Sequence, residues 1–167
     1  TRLSLTPEVE EVIAEVLRWK ESKDWYVERQ IPWRRGLLLH GPPGTGKSSL
    51  AKALAQKLNM PIYLFDISTM DNQEFHKNWQ TALSNTPAIA LIEDIDAVFH
   101  GRENVVAEKG QGLTYDCLLN TISGVESADG LLLIVTTNCL DKVDQALGIP
   151  QPGSASSRHG RIDRAVE

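Results

Sequence analysis

The segment that most restricts this chain is Gly41-Pro42-Pro43-Gly44-Thr45-Gly46-Lys47-Ser48, an instance of G-x-x-x-x-G-K-[ST]. Before it stands Leu37-Leu38-Leu39, an apolar run between Gly36 and Gly41 that reads as a buried parallel strand. After it, Leu50, Ala51, Leu54, Ala55 and Leu58 fall on one side of a helix over 46–58. Glycines let such a loop curl until successive backbone N–H groups point at an anion. The helix N-terminus adds its positive end. Lys47 can reach the β- and γ-phosphates, and the Ser48 hydroxyl can ligate Mg²⁺. In isolation the segment would serve equally as a Gly/Pro turn. The strand–loop–helix setting favours phosphate binding by Pro43, Gly44, Thr45, Gly46, Lys47, Ser48 and Ser49.

The flanking sequence alternates strands with helices. Thr6 and Pro7 suit the N-cap and first position of a helix whose first turn carries Glu8, Glu10 and Glu11. Val9, Val12, Ile13, Val16 and Leu17 form its apolar stripe. A polar and aromatic connector over 20–35 carries Trp25, Tyr26, Ile31, Pro32 and Trp33. Ile62–Phe65, Ala88–Ile92 and 131–135 read as further strands. Asp71 and Glu74 open a helix with Phe75, Trp79, Ala82 and Leu83 at helical spacing. Residues 100–112 read as a loop, 114–123 as a helix stopped by Gly124, 141–147 as a short helix and 148–157 as a loop. The alternation predicts an α/β fold with a mainly parallel sheet and helices on both faces. Residues 1–35 form a helix and connector leading into the core, and 36–167 form the nucleotide-binding unit.

Charge and composition narrow the partners. With 17 Lys+Arg against 22 Asp+Glu, the net charge of −5 argues against a nucleic-acid footprint. The 167 residues suit one domain with a full-sized core. No run approaches the ~18 apolar residues that span a bilayer. The start at Thr1, with neither an initiator Met nor a signal-peptide apolar region, reads as a piece of something longer. Cys117 and Cys139 form no CxxC pair, which favours a cytoplasmic or other reducing compartment over a disulfide framework.

Three further segments complete a candidate site. The strand Ala88–Ile92 runs into Glu93-Asp94-Ile95-Asp96. Two carboxylates delivered beside a phosphate loop are the expected partners of Mg²⁺ and an attacking water. This position usually carries Asp then Glu. Here, by position, Glu93 serves the metal and Asp94 polarises the water, with a side chain one methylene shorter. The bland reading is a solvated strand end, and Asp96 reads as structural or as a subunit contact. Thr136-Thr137-Asn138 ends the next strand, where Asn138 could hold the attacking water; alone, the triplet is only a turn signal. Arg158 and Arg161 stand in a basic cluster that is ordinarily a solvated face. A guanidinium fork can also neutralise charge on a transferring γ-phosphate.

Gly41–Ser48, Ile92–Asp96, 136–138 and 158–163, in this order, resemble the AAA ATPases. The resemblance implies a P-loop NTPase three-layer sandwich. Its parallel sheet is five-stranded, with the phosphate-loop strand in the middle. It also implies ATP and Mg²⁺ bound at the interfaces of homo-oligomeric rings, hexameric or heptameric, with Arg158 and Arg161 acting from the neighbouring subunit. Trp25-Tyr26 with Ile31-Pro32-Trp33-Arg34-Arg35-Gly36, the Glu93-Asp94 order, and Gly112-Leu113-Thr114 before Leu118-Leu119-Asn120 are similar to one branch. That branch is the mitochondrial Rieske-protein translocase, a chaperone of complex III assembly, with its soluble and bacterial relatives. A mitochondrial location then follows if an anchor precedes Thr1.

The chain departs from the family pattern in three places. Residues 148–157 look inserted before the arginines. Residues 68–73 offer only Met70 where threading members carry an aromatic residue. The chain ends where the C-terminal helical lid would begin. The resemblance implies an ATP-hydrolysing module acting on a protein client. The alternatives are a nucleotide-dependent assembly module with little hydrolysis and a small-molecule phosphotransferase. Asp24–Tyr26 with Ile31 could contact adenine or simply pack the first helix.

Overall fold

The computed structural model describes residues 7–42, 46–100, 103–105, 112–122, 129–139 and 164–166. Five strands, β1 (Arg34–His40), β2 (Ile62–Phe65), β3 (Ala88–Ile92), β6 (Leu131–Thr137) and β7 (Arg164–Val166), pair entirely in parallel. Their order is β2-β3-β6-β1-β7. The resemblance put the phosphate-loop strand in the middle, and here the structure corrects it. β1 is interior but next to the edge, and β6 is central. The burial pattern agrees, because all seven residues of β6 are buried. A strand with neighbours on both sides and helices on both faces has no polar exit.

Alternate strand residues feed two cores, as the pleat dictates. On one face Leu38, Ala88, Ala90, Ile92, Leu133 and Val135 meet α4 (Asn72–Leu83) and α6 (Tyr115–Ile122). The small Ala88 and Ala90 leave room for aromatic packing, with Phe65–Phe75 and Phe65–Trp79 centroids 5.4 and 5.7 Å apart. On the other face Leu37, Leu39, Ile89, Leu91, Leu132 and Ile134 meet α1 (Pro7–Glu21) and α3 (Lys47–Leu58). Helix, sheet and helix make the expected three layers.

The N-terminal segment docks on this sheet. Val12, Ile13 and Val16 of the predicted stripe are buried and Val9 and Leu17 partly so, while Trp19, outside the stripe, is buried as well. Trp19 stacks on Trp33 at 5.0 Å, Trp33 Nε1 donates to the Trp19 carbonyl at 2.9 Å, and Arg35 pairs with Glu15. The expected N-cap of α4 is present, with Asp71 Oδ1 accepting from the Glu74 amide at 2.8 Å.

Other local expectations are revised. The connector over 20–35 contains a helix, α2 (Lys23–Glu28), with no buried residue. The 100–112 loop begins within a minimal hairpin of β4 (Phe99–His100) and β5 (Glu103–Asn104). A single turn, α5 (Ile95–Val98), follows the carboxylates, held down by buried Ile95 and Val98. The predicted helix at 141–147 and the 148–157 loop lie outside the described residues. Among the described residues, no helix is long and apolar enough to cross a membrane.

Candidate functional site

The sheet order sets the tips of β3, β6 and β1 side by side, with β6 between the other two. Beyond β1 the chain passes Gly41 and Pro42, and Gly46 stands at the head of α3. There φ is 86°, a left-handed conformation that glycine adopts without the steric cost of a Cβ. Gly46 caps α3 without a side chain, and the first turn of α3 holds no acidic residue. The amide N–H groups and positive dipole end of such a helix start suit an anion. Lys47 Nζ donates to the carbonyls of Gly41 at 3.0 Å and Pro42 at 2.9 Å, so the ammonium lies across the mouth of the loop. Ser49 is exposed on the same turn. Pro43, Gly44 and Thr45 lie outside the described residues.

The tip of β3 meets that helix directly. Ser48 Oγ donates to Glu93 Oε1 at 2.5 Å. A hydroxyl and a carboxylate brought together are hard oxygen donors of the kind Mg²⁺ takes, and Mg²⁺ is ordinarily held by one or two protein groups plus substrate phosphates. Asp94 follows in a left-handed conformation, φ 53° and ψ 53°. This turn directs the chain out of the strand and into α5. Desolvation at the strand end, then the charges of Asp96 and Glu93, hold the Asp94 carboxyl above its ordinary range, against a downward pull from Lys47.

The tip of β6 is tied to β3 by side chains. The paired ladder between them runs only to Ile92↔Val135. Past it, the Asp94 amide donates to Thr136 Oγ1 at 2.9 Å, and the Asn138 amide donates to Asp96 Oδ1 at 3.1 Å. Thr136 and Thr137 are buried, whereas Asn138 is exposed. Cys139 N–H caps onto Thr137 Oγ1 at 3.1 Å. The sequence analysis placed Thr136 at the strand tip but gave it no role of its own, although a buried hydroxyl demands a partner. Asp96, read as structural or as a subunit contact, makes an intrachain bond to the tip that carries Asn138.

A cleft of about 300 Å³ opens beside these tips, lined by Phe65, Asp66, Ser68, Glu93, Asp94 and Ala97 among others. Met70 is partly buried against the aromatic core, with Asn78 Nδ2 3.9 Å from its sulfur. Of the adenine candidates, Tyr26 packs against the α1–α3 core, and Trp25 is exposed beneath the Arg29 guanidinium at 4.3 Å. Arg158 and Arg161 lie outside the described residues.

Comparisons with known proteins extend this picture. Residues 37–151 match the profile of the ATPase family associated with various cellular activities (AAA). The mitochondrial chaperone BCS1 of Bos taurus is 35% identical over 159 residues, covering 92% of this chain and 36% of the relative. The corresponding protein of Danio rerio is 38% identical, covering 92% of this chain and 36% of the relative. The probable mitochondrial chaperone BCS1-A of Dictyostelium discoideum is 39% identical, covering 93% and 36%. The chain thus spans about a third of the length of these relatives.

Proposed function

The chain belongs to the AAA ATPase family, in the branch of the BCS1 chaperones, and from that premise we propose that it binds and hydrolyses ATP with Mg²⁺ to remodel, assemble or translocate a protein client. The observation that carries this reading is the Ser48–Glu93 contact. It joins the phosphate-loop helix to the carboxylate strand, with Asp94 and Asn138 alongside. Residues 43–49 would wrap the phosphates with backbone N–H groups. Lys47 would exchange the Gly41 and Pro42 carbonyls for β- and γ-phosphate oxygens. Ser48 and Glu93 would hold Mg²⁺, which when bound neutralises charge on those phosphates.

Hydrolysis needs a water aligned on the γ-phosphorus. The Asn138 side chain would hold that water, and Asp94 would take its proton as the oxygen attacks and the bond to the β–γ bridging oxygen breaks. A carboxylate raised above its ordinary pKa is the better proton acceptor once ionised. Arg158 and Arg161, from the next subunit of a hexameric or heptameric ring, would neutralise the charge that develops. In keeping with what the relatives are named, the proposed client is a protein and the proposed setting mitochondrial, with a cytoplasmic or other reducing compartment as the alternative.

One observation favours a second reading, a nucleotide-dependent assembly module with little turnover. The Glu93-Asp94 order leaves the shorter acid at the water position. Asp94→Asn separates the two. In the assembled protein, ADP release well above the Asp94→Asn background, with ATP trapped by that variant, supports hydrolysis. Wild-type release no faster than the variant's refutes it.

A further inference from the structure

The side-chain bridges at the strand tips assign work to a residue outside the proposed chemistry. α5 is short, but Ile95 and Val98 are 2% and 3% exposed, so the turn that carries Asp96 is anchored in the core. The Ala97 amide closes that turn on the Asp94 carbonyl at 2.9 Å. Asn138, by contrast, lies beyond the last ladder pair of β6, where strand pairing no longer sets its place. Its amide is held by the Asp96 carboxylate. Asp94 and Asn138 are therefore referenced to the same anchored turn, one through the chain and the other through Asp96.

We propose that Asp96 is a positioning residue for hydrolysis: by holding the Asn138 amide it fixes the distance between the Asn138 side chain and Asp94. This rests on the hydrolytic reading above. The charge of Asp96 is incidental to the role and its oxygen is essential, so an amide of the same shape should substitute.

The test compares Asp96→Ala, Asp96→Asn, Asn138→Ala and Asp96→Ala/Asn138→Ala in the intact, assembled protein. Misplacing a positioned group by an ångström can cost about 100-fold, and Asp96→Ala should lower kcat by up to about that factor with KM for ATP little changed. Asp96→Asn should restore most of the rate, and the double variant should be no slower than Asn138→Ala. Hydrogen–deuterium exchange at the Asn138 amide should quicken in Asp96→Ala and stay slow in Asp96→Asn. Multiplying rate losses in the double variant, no rescue by Asn, or unchanged Asn138 exchange in Asp96→Ala would each overturn the proposal. So would ring dissociation that accounts for the lost rate, since Asp96 would then be a subunit contact. Absence of wild-type turnover would instead sink the hydrolytic reading, while the exchange data would still report whether Asp96 anchors Asn138.

Discussion

Replacing Thr136 by Val tests whether one buried hydroxyl shapes the catalytic tip. Thr136 is 1% exposed, and Val keeps its volume and β-branch, so the sheet should repack little. What disappears is the acceptor for the Asp94 amide at 2.9 Å. Asp94 sits at an exposed strand end, so water can reach the orphaned amide, and the loss should be the net worth of an ordinary hydrogen bond, about 1 kcal/mol. In a chain of this size that lowers Tm by about 2–4 °C.

The rate should suffer more than the stability. A left-handed residue other than glycine is disfavoured by up to about 1–2 kcal/mol, less for Asp than for most, so without its bond Asp94 should occupy that conformation less and kcat should fall by up to about tenfold. Thr136→Ser is the control. It loses a buried methyl, about 0.8 kcal/mol, but keeps the acceptor. Thermal denaturation and steady-state ADP release on both variants decide the matter. Similar Tm losses with a rate loss confined to Val are expected. Equal rate losses in Val and Ser would refute the idea that the hydroxyl aims Asp94.

Lys47→Ala should abolish ATP binding, read by calorimetry, while leaving the melting transition in place. Asp94→Asn should raise Tm at neutral pH. A raised carboxyl pKa means the folded state disfavours the charged form, so stability falls as pH rises through it. That gain should shrink as pH drops toward ordinary carboxylate values, and a gain constant with pH would show the shift to be absent. Trp79→Ala, deep in the aromatic core, should cost about 3–5 kcal/mol by denaturant titration, against about 1 kcal/mol for removing the Asp71 cap.

The parts of this fold that can be read from residues alone are those whose burial writes a period into the sequence. Leu37–Leu39, Ala88–Ile92 and the stripe of α1 are of that kind. α2 could not be seen because only Tyr26 of its six residues packs against the core, and a helix without a buried face leaves no apolar repeat. β7 is three residues led by Arg164, and it is a strand because β1 offers it an edge. At the site, the phosphate loop is local in sequence and announces itself. The bonds from Thr136 to Asp94 and from Asp96 to Asn138 each join residues 42 apart. They depend on β3 lying beside β6, a pairing that neither strand's composition specifies.

The partition of the core into two faces bears on how such a chain can drift over generations. Side chains that meet α4 and α6 and those that meet α1 and α3 are kept apart by the thickness of the sheet. A volume change among Phe65, Phe75 and Trp79 has to be compensated on its own side, because distant, unconnected sites contribute additively. Each half of the interior is thus free to be rewritten on its own schedule. At the ends of β3 and β6, by contrast, Asp94, Asp96, Thr136 and Asn138 are laced together, and a change in one strand has to be matched in the other.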